Sequence, residues 1–85
     1  MLYRIDSVVD RYTHEEKSER IGRIVSIGSL ELDKSALFYY EDNDYDSGFI
    51  TSKVDRFENY NLKSGSKYLI FTENSIYTLK EYIDG

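Results

Sequence analysis

At 85 residues the chain is expected to be one domain, 1–85, with no length to spare for a linker or a second core. It holds no cysteine, which rules out a disulfide framework, a thiolate nucleophile and a cysteine zinc site, and fits a reducing, cytoplasmic compartment. Sixteen acidic residues against eleven basic ones leave a net charge of −5, so phosphates meet repulsion and direct nucleic-acid binding is disfavoured, whereas a basic groove on another protein is attracted.

The elements follow in chain order. Residues 2–12 alternate, with Tyr3, Ile5, Ser7 and Val9 on one side, and read as a first strand. Arg4, Asp6 and Asp10 interrupt any apolar leader there. Thr13 to Arg20 has no apolar residue. Thr13 and Glu16 match a capping box, but no apolar stripe follows, so the segment reads as a mobile polar loop. Ile21 to Ile27 is a second strand, with bends expected at Gly22 and Gly28. Asp33-Lys34-Ser35 reads as a turn. Ala36 to Tyr40 is the longest apolar run, far short of the ~20 residues that cross a membrane. In an extended chain Tyr39 and Tyr40 point to opposite faces, which leaves one of them exposed.

Asp42 to Gly48 is turn chemistry throughout. Phe49 to Phe57 is the next strand, with Ile50, Ser52 and Val54 on one face and Phe49, Thr51 and Lys53 on the other. The spacing of three across Val54, Phe57 and Tyr60 then hints at a helical turn. Residues 65–83 carry the strongest signal, two runs rich in Tyr, Ile, Phe, Thr and Leu around Glu73-Asn74-Ser75, a β-hairpin with Asn74 as the residue suited to positive φ. A three-residue loop sets Leu69 opposite Leu79, Phe71 opposite Tyr77 and Lys67 opposite Glu81, and is preferred. A two-residue Asn74-Ser75 loop pairs Ile70 with Leu79 and Thr72 with Tyr77 instead. Both registers place Tyr77 and Leu79 in the core. Five or six short strands with turn signals between them predict an all-β fold, a small SH3-like, partly open barrel of antiparallel strands, ahead of an OB-type barrel.

Two blocks carry a resemblance. Gly48-Phe49-Ile50-Thr51-Ser52-Lys53-Val54 and Thr72-Glu73-Asn74-Ser75-Ile76-Tyr77-Thr78-Leu79 resemble the Thr-Ser-x-Val and Thr-x-Asn-Ser-x-Tyr-x-Leu pattern of small uncharacterised SH3-like β-barrel proteins of phages and plasmids. The resemblance implies a mobile-element origin and brings no activity with it.

No reactive constellation is present in the sequence. His14 is the only histidine and stands without a second nitrogen or sulfur ligand, so neither a triad nor a transition-metal site can be built around it. No Gly-x-Ser-x-Gly elbow and no glycine-rich phosphate loop occurs. Asp42, Asp44 and Asp46 have the spacing of the first calcium-loop ligands, but glycine comes one position late, at Gly48, and Lys53 stands where a bidentate glutamate belongs. The expectation is a protein that is no enzyme and holds no cofactor or metal. It acts by docking on a host protein through Tyr39, Tyr40, Asp42, Asp44, Tyr45 and Asp46, carboxylates and rings able to meet arginines that serve phosphates. Small acidic phage proteins often inhibit host defence nucleases through such nucleic-acid mimicry. The alternatives are a barrel that binds a nucleotide or oligonucleotide through Arg4, Arg11, Arg20, Arg23, Lys53 and Arg56, or a structural module that dimerises through a spare strand edge.

Overall fold

The computed structural model describes residues 1–42 and 47–83, with only the backbone of Ser18. Six strands follow one another: β1 (Leu2–Asp10), β2 (Ile24–Ser29), β3 (Ser35–Tyr40), β4 (Gly48–Leu62), β5 (Gly65–Thr72) and β6 (Ser75–Tyr82). Each is antiparallel to the next, and β6 returns to β1, so the sheet closes. The chain is therefore a small all-β antiparallel barrel of the SH3-like kind its turn spacing predicts, but closed rather than partly open, because β6 pairs with β1 along most of its length. The thinnest seam is β1–β2, where only Tyr3 with Val25 and Arg4 with Ile24 are in register. No helix among the described residues is long and apolar enough to cross a membrane.

The core is the inner surface of the barrel. Ile5, Val25, Ala36, Phe38, Val54, Ile70 and Leu79 are fully buried there, closed off by Tyr3, Val8 and Tyr77. Tyr77 and Leu79 lie inside, as both hairpin registers require.

Several expectations need correction, and each has a local cause. On β1 the inward set is Tyr3, Ile5 and Val8, rather than Ser7 and Val9. A register shift between Ile5 and Ser7 against β6 resets the alternation and turns an apolar residue inward. On β4 no helical turn follows Val54. The strand runs on to Leu62, and a shift between Val54 and Arg56 produces the spacing of three that imitates a helix. Thr51 and Val54 both face inward across another irregularity, where Thr51 Oγ1 accepts the Ala36 N–H at 2.9 Å in place of a ladder carbonyl.

The hairpin adopts neither expected register. Tyr68 pairs with Leu79, Ile70 with Tyr77 and Phe71 with Ile76, around a two-residue Glu73-Asn74 turn. Asn74 does not have positive φ; the non-glycine residues that do are His14 and Asp33. The buried Thr72 sets the register, because its Oγ1 accepts the Ser75 N–H at 3.0 Å and donates to the Ser75 carbonyl at 3.1 Å. Phe71 then points outward, where the guanidinium groups of Arg56 (4.1 Å) and Arg11 (5.6 Å) cover its ring.

The polar segment after β1 is tied to the barrel. Lys17 N–H donates to the Val8 carbonyl at 2.7 Å, Asp10 N–H to the Glu15 carbonyl at 2.8 Å, and Ser18–Arg20 forms a 3-10 turn. Asp10 caps the bend by accepting the Tyr12 and Thr13 N–H groups, and the Thr13 hydroxyl accepts the Glu15 N–H at 3.2 Å. The bends expected at Gly22 and Gly28 are present, the first at φ +89° and the second at the irregularity between Ile27 and Ser29.

Candidate docking surface

Alternation along β3 sorts its side chains. Ala36 and Phe38 enter the core, while Leu37 and Tyr39 face outward, opposite Ile50 and Gly48 of β4. Tyr39 is 46% exposed and Ile50 69%. Two glycines make room for this arrangement. A Cβ at Gly28 would sit 2.5 Å from Tyr39 Cε2, so the ring lies flat over the bare backbone of β2. A Cβ at Gly48 would sit 2.1 Å from the Phe38 carbonyl oxygen, so β3 and β4 approach there more closely than any other residue allows. Leu37, Tyr39, Ser47, Gly48, Phe49 and Ile50 line a shallow cleft of about 190 Å³ between them. Glu41 continues the outward row, its carboxylate accepting the Ser26 hydroxyl at 3.0 Å at the rim of the patch.

The other expected residues have different roles. Tyr40 turns toward the barrel, its ring 5.5 Å from Phe49, with the Arg23 guanidinium 3.7 Å above it. Asp42 binds that arginine at 3.2 Å and accepts the Ile24 N–H at 2.9 Å. Partial burial works against ionisation of Asp42, but the Ile24 N–H and the Arg23 hydrogen bond and charge outweigh it and hold the carboxyl below its usual value. Tyr40 and Asp42 thus hold Arg23 between them, Tyr40 half-buried and Asp42 exposed. Asp44, Tyr45 and Asp46 lie outside the described residues. Leu37 and Ile50, absent from the expected set, complete the patch. Their signal in the sequence is the outward phase that Leu37 and Tyr39 share.

Four of the expected basic residues fall into two pairs, Arg11 with Arg56 over the Phe71 ring and Arg20 with Arg23 over the neighbouring rings of Phe49 and Tyr40. Arg4 pairs with Asp6 at 2.8 Å and Arg11 with Asp55 at 2.8 Å, while Arg56 lies over Phe71. Arg20 stacks on Phe49 at 4.1 Å and reaches the Tyr77 hydroxyl at 3.5 Å. Each guanidinium thus has a carboxylate or a ring as its neighbour. His14 is exposed. Among the described residues no group of three or more His, Asp or Glu side chains converges as a metal site would need.

No protein-family model matches the chain, and neither a curated protein nor a solved structure is similar to it.

Proposed function

We propose that the protein is a non-catalytic docking module. The outer face of β3 and β4, with Leu37, Tyr39 and Ile50 at its centre and Glu41 at its rim, engages a basic surface of another protein. The observation that carries this reading is the exposure of Tyr39 and Ile50 side by side on a rigid two-strand platform. Tyrosine is among the residues that binding hot spots favour, and surrounding apolar contacts that exclude water complete them. Electrostatics names the kind of partner: a chain of net charge −5, with Asp44 and Asp46 adjacent in sequence, is drawn to clustered arginines and repelled by other acidic surfaces. Arginines clustered for phosphates occur in nuclease grooves, which makes a host defence nuclease the fitting partner and inhibition by mimicry the fitting outcome.

The test is affinity capture with three baits: wild type, Tyr39→Ala with Ile50→Ser, and Glu41→Gln with Asp44→Asn and Asp46→Asn. The expected result is one basic protein retained by wild type, lost with the first variant, weakened with the second, and displaced by short duplex DNA. Equal retention on all three baits contradicts the proposal.

A further inference from the structure

The mouth of the barrel beside the N-terminal residue holds a different kind of site. Because β1 and β2 are in register only at Tyr3–Val25 and Arg4–Ile24, the seam opens beyond Val25. Met1, Tyr3, Ser26, Ile27, Leu30, Phe57 and Tyr68 surround the opening, a concavity of about 360 Å³. That volume lies in the range of small-molecule sites, and barrel mouths are among the places where such sites occur.

The lining decides what could enter. Among the described residues, no Asp, Glu, Lys or Arg lines it. A charged ligand would leave water without a counter-charge, which costs several kcal/mol on the order-of-magnitude scale for unpaired buried ions. Tyr3 and Tyr68 meet edge to face, with centroids 5.4 Å apart at 78°, so two walls stand almost at right angles, and Phe57 adds a third ring. Flat aromatic ligands find stacking and edge contacts together in such a corner. The Tyr3 hydroxyl, which Ser66 and Tyr68 also approach, is the polar group that meets the opening as a donor. Tyr3 is only 6% exposed, yet its hydroxyl donates to the Met1 thioether sulfur at 3.1 Å, a weak acceptor. Met1 itself is 76% exposed, and so is the most readily displaced part of the lining.

From the rings, the uncharged lining and this phenol donor, we infer that the barrel mouth is a binding site for an uncharged, flat, fused aromatic molecule with one hydrogen-bond acceptor. The acceptor takes the place of Met1 Sδ at the Tyr3 hydroxyl, and the ring system lies between Tyr68, Phe57 and the Ile27 and Leu30 side chains. The site shares β2 with the β3–β4 patch, since Ser26 of its lining pairs with Tyr39 and donates to Glu41 at 3.0 Å.

Quinoline and naphthalene, alike in shape but differing in the ring nitrogen, separate the two parts of the inference. At neutral pH, ¹³C methyl spectra of Met1, Ile27 and Leu30 should shift saturably with quinoline, and more weakly with naphthalene by a factor of about five, the worth of one hydrogen bond. Tyr3→Phe keeps the ring and should make the two affinities equal. Ile27→Phe fills the mouth from its rim and should abolish both, and amide spectra establish that each variant is folded. Absence of a saturable shift at millimolar quinoline overturns the inference, and so does an unchanged preference for quinoline in Tyr3→Phe.

Discussion

Gly48 and Gly28 look alike in the sequence but differ in what a methyl group would meet. At Gly48 the obstacle is the Phe38 backbone carbonyl at 2.1 Å, which cannot move without pulling β3 away from β4. At Gly28 it is the Tyr39 ring at 2.5 Å, which can swing aside into solvent. Gly48→Ala should therefore cost about 3 kcal/mol or more in urea unfolding, and Gly28→Ala about 1 kcal/mol or less. Equal losses would mean that the strand approach at Gly48 is not what holds the patch. Tyr77 acts on stability through its proton. Burial raises its phenol above the usual value, while Arg20 pulls it down less strongly. The folded state thus favours the neutral phenol. That contribution is complete below the unfolded pKa of about 10 and disappears as pH rises through the higher folded value. Thermal melts should fall more steeply above about pH 10 for wild type than for Tyr77→Phe. Parallel curves would contradict the assignment.

At the scale of elements, the β5–β6 hairpin best separates what local sequence decides from what tertiary structure decides. The existence of the hairpin, its start at Gly65 and the inward positions of Tyr77 and Leu79 were legible, because they follow from composition and period two. The register was not. Both faces of β5 are apolar, so Leu69 and Phe71 compete with Tyr68 and Ile70 for the interior, and the cover that Arg11 and Arg56 place over Phe71 comes from other strands. The shifts after Ile5 and Val54 escaped for the same reason, since each depends on a partner strand. The bends at Gly22 and Gly28 were legible because glycine acts locally. The site was half legible. Alternation demanded that one of Tyr39 and Tyr40 be exposed, but it could not say that Arg23 would engage both Tyr40 and Asp42. The register argument makes Thr72 the deciding residue. Thr72→Val strands both Ser75 backbone groups and should cost about 1–3 kcal/mol. Thr72→Ser keeps both bonds and should cost about 1 kcal/mol for the lost methyl group. Urea midpoints measure both, and a larger loss in the serine variant would refute the role given to the hydroxyl.

At the scale of the whole molecule, closure into a barrel places two unlike surfaces on one small body. Six strands with a filled interior leave little room for chemistry inside, and the thin β1–β2 seam opens the mouth at one end. On the outside, the pairing of arginines with carboxylates leaves the excess negative charge to the remaining acidic residues, among them Glu41 beside Tyr39. On the proposed reading, an acidic platform with two exposed anchors would give orientation and fast encounter with a basic partner, even though a patch this small provides modest area. The most direct measurement is hydrogen–deuterium exchange of the chain bound to the partner that Tyr39→Ala with Ile50→Ser fails to retain. Protection gained at residues 36–41 and 48–50, with the barrel mouth and the β4–β5 turn unchanged, is the result this account expects. Protection confined to the mouth or to residues 58–66 would contradict it.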